Sequence, residues 1–204
     1  MVTFIIVRHG YSMYNKERRF TGQSDIPLDP VGISQAHEAA KYISENYKID
    51  KVYSSDLSRA ADTALPTAQF FGLPVIKRCD LREMDLGTWT GRLLSDVEKE
   101  NPEAFEAYFK DIDVTSVRGG ENHSMLITRA TRAIDEIAAE NDGKSIAIFT
   151  HGGVIRALHC VWQGFDANSI NNVPRVPNAS ITVAVYNEKN ADILLQSYTD
   201  HLSK

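Results

Sequence analysis

An almost unbroken apolar run, Val2-Thr3-Phe4-Ile5-Ile6-Val7, opens the chain, and a second, Ile146-Ala147-Ile148-Phe149, lies in its last third. Runs without polar alternation predict strands covered on both faces, as in a parallel sheet flanked by helices. Between them the apolar positions recur at helical spacing. Leu28-Asp29-Pro30 predicts a helix start, with Asp29 as N-cap and Pro30 in the first turn, and Ile33, Ala36, Ala40 and Ile43 trace its inner stripe. A short strand at Lys51-Val52-Tyr53 runs into Ser54-Ser55-Asp56. There Ser55 or Asp56 is expected to cap a helix that carries Leu57, Ala60, Ala61, Ala64, Ala68 and Phe71. Gly72 would close that helix, and Pro74-Val75-Ile76 resumes a strand. Later, Leu126, Ala130, Ala133, Ile134 and Ile137 mark another helix, 154–162 a further one, and 180–186 and 193–198 two β-rich runs.

The alternation lapses from 81 to 122. Within it, 93–110 predicts one or two short amphipathic helices, broken at Asn101-Pro102 and anchored by Phe105, Tyr108 and Phe109. Strands alternating with helices imply an α/β fold: a three-layer sandwich whose mostly parallel central sheet has helices on both faces and a helical insertion over the strand ends. The expected organisation is one domain over 1–204, with a cap-like insertion at about 82–122.

Length and composition narrow the function without naming it. The 204 residues allow one substantial core, and 43% hydrophobic residues fit a globular chain. A net charge of −5 and the lack of a basic block give no footing for nucleic acid or a membrane surface. Cys79 and Cys160 have neither a disulfide framework nor metal-site spacing, and are expected to be buried thiols in a reducing compartment. With no leader and no apolar span at the N-terminus, the expected location is the cytoplasm.

Both long apolar strands end in a histidine: Val7-Arg8-His9-Gly10 and Phe149-Thr150-His151-Gly152-Gly153. If the strands are parallel neighbours, both imidazoles reach one sheet edge, where open α/β sheets bind ligands. The glycines let backbone approach a ligand, and the helix after Gly153 offers N–H groups to an anion. Ser54 to Ala60 again runs from strand end to helix start and brings a second cation, Arg59. Arginines and histidines converging on one point suit a phosphate, with an imidazole placed to attack phosphorus.

On these residues the chain resembles the histidine phosphatase, or phosphoglycerate-mutase-like, superfamily. Arg8-His9-Gly10, Asn15, Thr21 to Leu28 and Gly32 resemble its first signature, and Ser54 to Ala64 its second. Leu81-Arg82-Glu83 with Gly87, Trp89 and Gly91 is similar to its third. Gly119-Gly120-Glu121, Thr150 to Arg156 and Asn178 to Thr182 complete the series. The resemblance implies that His9 forms a phosphohistidine, that Arg8, Arg59 and His151 clamp the phosphoryl oxygens, and that Glu83 serves as general acid and base. It further implies substrate contacts from Asn15, Thr21, Gly22 and Gly152. No metal and no cofactor is expected, because preorganised cations meet the main demand of phosphoryl transfer. His9 is expected to be neutral and His151 cationic.

The implied activity is metal-independent hydrolysis of a small-molecule phosphate ester, by the phosphatase branch of the family. The alternative within the enzyme class is a cofactor-dependent phosphoglycerate mutase. Mutases of the family carry an adjacent arginine pair downstream of the glutamate, whereas residues 84–122 hold only Arg92, Lys99, Lys110 and Arg118. Tyr11 also stands where mutases have Glu. A catalytically silent phosphate-binding protein is the other alternative, and it would lack the nucleophile or the acid. The C-terminal β-rich segment either finishes the sheet or forms the edge of a homodimer.

Overall fold

The structure, a computed structural model, describes residues 1–203. In chain order the strands are β1 (Val2–Arg8), β2 (Lys51–Ser55), β3 (Val75–Arg78), β4 (Ser145–Thr150), β5 (Ile181–Asn187) and β6 (Asn190–Tyr198). The helices are α1 (Met13–Glu17), α2 (Pro30–Asn46), α3 (Ser58–Phe71), α4 (Leu94–Glu100), α5 (Pro102–Phe109), α6 (Thr115–Arg118), α7 (His123–Ala139) and α8 (Gly152–Trp162). The six strands form one sheet in the order β3-β2-β4-β1-β5-β6. β1 to β4 run parallel, and β5 and β6 add an antiparallel margin.

Successive side chains of a strand face opposite sides, so an unbroken apolar run serves two cores. Phe4 and Ile6 of β1 join Ile146 and Ile148 of β4 under α7 and α8, with Leu126, Ile134, Ile137, Ile155 and Leu158. Ile5 and Val7, with Ala147 and Phe149, face α2 and α3 through Ala39, Ile43, Ala64 and Ala68. Small residues on α2 and α3 let both helices lie close to the sheet. Each fully buried Ile or Leu contributes about 1.5–3 kcal/mol by leaving water.

Helix starts follow the expected chemistry in part. Asp29 caps α2, accepting from Gly32 N at 2.9 Å, and Pro30 occupies the first turn. Gly72 closes α3 in the left-handed conformation. Three expectations need correction. Ile33 is half exposed, and the buried stripe of α2 is Gly32, Ala36, Ala39, Ala40 and Ile43. Neither Ser55 nor Asp56 is the N-cap of α3; Leu57 is, without a side-chain bond, and Asp56 instead pairs with Arg82. Cys79 is exposed, while Cys160 is buried.

Residues 94–118 carry α4, α5 and α6. An aromatic cluster packs this segment down, with Phe20 against Trp89, Phe105, Tyr108 and Phe109 at centroid distances of 5.1–6.3 Å. Its far end is tied by charge: Asp111 accepts both guanidinium nitrogens of Arg156 in α8, at 2.6 and 2.8 Å. Among the described residues no helix is long and apolar enough to cross a membrane.

Candidate active site

Parallel pairing of β1 with β4 puts Arg8 opposite Thr150, so the next residue on each strand is a histidine at the same edge. The His9 and His151 rings lie 5.2 Å apart between centroids. Both are buried, as is Arg59, which enters from the first turn of α3. One hydroxyl ties the nucleophile candidate to that helix. Thr63 Oγ1 accepts from Gly10 N at 3.0 Å and donates to Arg59 O at 2.7 Å. Gly10 is required there, because a Cβ would lie 2.5 Å from the carbonyl oxygen of Gly32 in α2.

The tautomer of His9 follows from its contacts. Nδ1 lies 2.7 Å from Gly10 O, a group that can only accept, so Nδ1 carries the proton and Nε2 keeps a free lone pair. Burial holds the His9 pKa well below 6.5, and the Arg59 and Arg8 charges push the same way. The imidazole is therefore neutral at physiological pH, as expected. His151 is not cationic as expected. Burial, with Arg59, His9 and Arg8 nearby, also holds its pKa well below 6.5. Two positive neighbours in a dry site oppose a third charge.

The two arginines are held by main-chain carbonyls rather than by carboxylates. Arg8 donates through Nη1 to Val176 O, and Arg59 donates to Ser24 O at 2.7 Å and Gly22 O at 2.9 Å. In each, Nε is buried and has no partner among the described residues. Desolvation lowers the Arg8 pKa and brings that of Arg59 down to about 10, which leaves both charged at neutral pH.

Glu83 reaches the same edge from the segment after the 3-10 turn Cys79–Leu81. Its Oε1 accepts from Met84 N at 2.9 Å and its Oε2 from Gly153 N at 3.2 Å. A Cβ on residue 153 would come within 2.3 Å of Oε1, so the second glycine of the histidine motif makes room for this carboxylate. A cavity of about 260 Å³ adjoins the site, lined by Arg8, Thr21, Gly22, Glu83, Gly152 and Gly153. Phe20, Leu86, Leu94 and Tyr108 give its wall an apolar share, and Arg19 and Arg175 also line it.

The structure thus gathers Arg8, His9, Arg59, Glu83 and His151 at one end of the sheet, with Thr21, Gly22 and Gly152 in the cavity wall. Asn15 Oδ1 accepts from Ser12 N in the cap of α1 and from Asn178. Several supporting residues had no role assigned from sequence. Asn178 donates to the carbonyls of His9 and Gly10. Arg129 binds the Asp80, Arg82 and Glu83 carbonyls and pairs with Glu121, which fixes the segment bearing Glu83. Ser55 sits 2.9 Å from His151 Nε2. The available signal for Ser55 was its place at the end of a strand beside β4; the signal for Arg129 was absent, since it lies mid-helix far from any motif.

The profile of the histidine phosphatase superfamily (branch 1) matches residues 4–199. The chain belongs to that family. It is 40% identical over 181 residues to phosphoglycerate mutase-like protein 4 of Arabidopsis thaliana, covering 88% of this chain and 77% of that protein. It is 32% identical over 203 residues to the metal-independent phosphoserine phosphatase of the same plant, covering 98% and 82%. Among solved structures, Bacillus stearothermophilus YhfR superimposes with a TM-score of 0.92 at 25% identity over the whole of both chains. This histidine phosphatase is a phosphoric monoester hydrolase.

Proposed function

We propose that this histidine phosphatase hydrolyses a small phosphate monoester through a phosphohistidine on His9. The observation that carries the residue assignment is the His9 Nδ1 contact with Gly10 O, which leaves Nε2 as the free nucleophile amid Arg8, Arg59 and His151. The Nε2 lone pair attacks phosphorus and the ester P–O bond breaks. Protonated Glu83 gives its proton to the departing oxygen. Water then attacks the phosphohistidine, Glu83 takes the water proton, and the P–N bond returns its electron pair to Nε2. Arg8 and Arg59 hold the equatorial oxygens as charge redistributes, the role a metal has in other phosphoryl-transfer sites, and His151 adds a hydrogen bond. Thr21, Gly22 and Gly152 bound the phosphoryl end, and Asn15, linked through Asn178 to the His9 and Gly10 carbonyls, stands beside the nucleophile loop.

The insertion at about 82–122 acts in this reading as a cap within one domain over 1–204 and selects the leaving group. Its apolar wall with Arg19 and Arg175 suits a compact organic group bearing an anion, and phosphoserine, the substrate class in a relative's name, is the first ester to test. The two free cysteines favour a cytoplasmic setting. A homodimer would use the free edge of β6; light scattering at monomer mass would remove it.

Phosphate release from a panel of esters in EDTA, with phosphoglycerate interconversion followed in parallel, tests the reading. Release without interconversion is expected, and His9→Ala should abolish both release and trapping of a phosphoenzyme. Interconversion outpacing release would make the protein a mutase, and a phosphoenzyme surviving in the variant would move the nucleophile elsewhere.

A further inference from the structure

His151 presents an unusual pair of ring nitrogens. Nε2 lies 2.9 Å from Ser55 Oγ, whereas Nδ1 is buried and has no partner among the described residues. Ser55 is itself fully buried, and its oxygen already accepts from Leu57 N at 3.3 Å. A hydroxyl has one proton to give. Among the described residues the only acceptor within reach of that proton is His151 Nε2. The opposite assignment, with Nε2–H donating to Ser55, would strand the hydroxyl proton in a dry site. It would also turn the bare lone pair of Nδ1 toward an anion. Both are costly: an unsatisfied buried donor or acceptor forfeits about 1–3 kcal/mol.

We infer that Ser55 is a positioning residue, whose hydroxyl donates to His151 Nε2 and so fixes a neutral imidazole with its proton on Nδ1, the donor for a phosphoryl oxygen. The inference rests on the proposed function for the identity of the ligand, and on the Ser55–His151 geometry alone for the tautomer. It resolves the disagreement over His151. The residue need not be cationic to serve the transition state, because a neutral N–H aimed from a buried ring supplies a preorganised dipole at no cost in charge repulsion. The two histidines then share one tautomer with opposite uses. In His9 the Nδ1 proton is consumed by Gly10 O and Nε2 attacks; in His151 Nε2 is consumed by Ser55 and Nδ1 donates.

Nitrogen-15 NMR of histidine-labelled protein reads the tautomer directly, with His151→Gln used to assign the signal. Resting wild type should show His151 with a protonated Nδ1 and an unprotonated Nε2 between pH 7 and 8. In Ser55→Ala the two nitrogens should move toward averaged shifts. With the ester that wild type hydrolyses best, kcat should fall by about 10–100-fold, less than the roughly 10²–10³-fold typical of deleting a transition-state donor outright. KM should change little. Ser55→Thr, which retains the hydroxyl, should restore both the shifts and most of kcat. A wild-type spectrum with the proton on Nε2 overturns the inference, and needs no variant to fold. So does Ser55→Ala with unchanged shifts and unchanged kcat. If no ester is hydrolysed, the proposed function fails while the tautomer measurement still decides the Ser55 assignment.

Discussion

In the proposed mechanism, Glu83 is the residue whose chemistry separates catalysis from scaffolding. Its carboxyl is oriented by two backbone N–H groups, from Met84 and Gly153, and stands in the cavity wall beside Arg8. An acid matters most when the leaving oxygen is strongly basic, and proton transfer of this kind is worth about 10²–10⁴-fold. Glu83→Gln is therefore expected to slow alkyl esters by that range and p-nitrophenyl phosphate by far less. Equal losses on both would mean that Glu83 only braces the first turn of α8. At this scale the sequence was informative about which residues converge and silent about their protonation. His9, Arg8, Arg59 and His151 were legible because strand ends and helix starts announce themselves locally, whereas Glu83 was reached only through the family resemblance. The neutral state of His151 depends on burial beside two guanidinium groups, and its orientation on a residue 96 positions away in the chain.

Among the elements, the proposed function gives the segment 94–118 the task of selecting what reaches the phosphate site. Its aromatic face packs on Phe20, and its exit is fastened by the Asp111–Arg156 pair, both side chains 9% exposed. Arg156 holds Asp111 below its ordinary pKa against the opposing effect of burial. Removing one partner of such a pair leaves the other charge buried, a loss of about 3–5 kcal/mol in fully enclosed cases. Asp111→Asn should cost somewhat less, because the site opens on the cavity, and should raise hydrogen exchange across 94–118 while leaving β1 and β4 protected. Uniform protection would show that the aromatic cluster alone holds the cap. The central elements were readable from periodicity, since double-sided burial writes an unbroken apolar run. The outward turn of Ile33 was not readable. The buried stripe of α2 is set by Gly32, whose close approach to the backbone at Gly10 and Tyr11 is a tertiary fact. Helix α6 and the early start of β6 at Asn190 were missed for a similar reason, because short polar segments take their form from what they pack against.

Across the whole molecule, buried histidines shape the response to acid. Burial lowers the pKa of His9, His123, His151, His159 and His201, and that of His159 falls to about 4. An unfolded chain protonates these side chains near 6.5, whereas the folded one resists until lower pH. Below 6.5 the unfolded state therefore binds more protons, so the stability contributed by these groups is complete above 6.5 and is lost as pH falls toward 4. Each fully buried histidine steepens the loss by up to about 1.4 kcal/mol per pH unit. Guanidinium midpoints should drop markedly from pH 7.5 to pH 5, before most carboxylates titrate. Equal midpoints would mean that the folded protein protonates these rings freely.

The carbonyl-held arginines carry one more consequence, for handling the protein. Arg8 and Arg59 keep their charge while their hydrogen-bond partners are neutral main-chain oxygens, and neither Nε has a partner among the described residues. A purification buffer containing phosphate or sulfate is expected to place an oxyanion on these two guanidinium groups that dilution alone removes slowly. Protein dialysed into chloride should bind vanadate more tightly, in apparent terms, than protein kept in phosphate, and assays begun from phosphate stocks will show a lag. The same appetite makes the released product a competitor for the next substrate, so measured turnover will depend on how promptly free phosphate is drawn away.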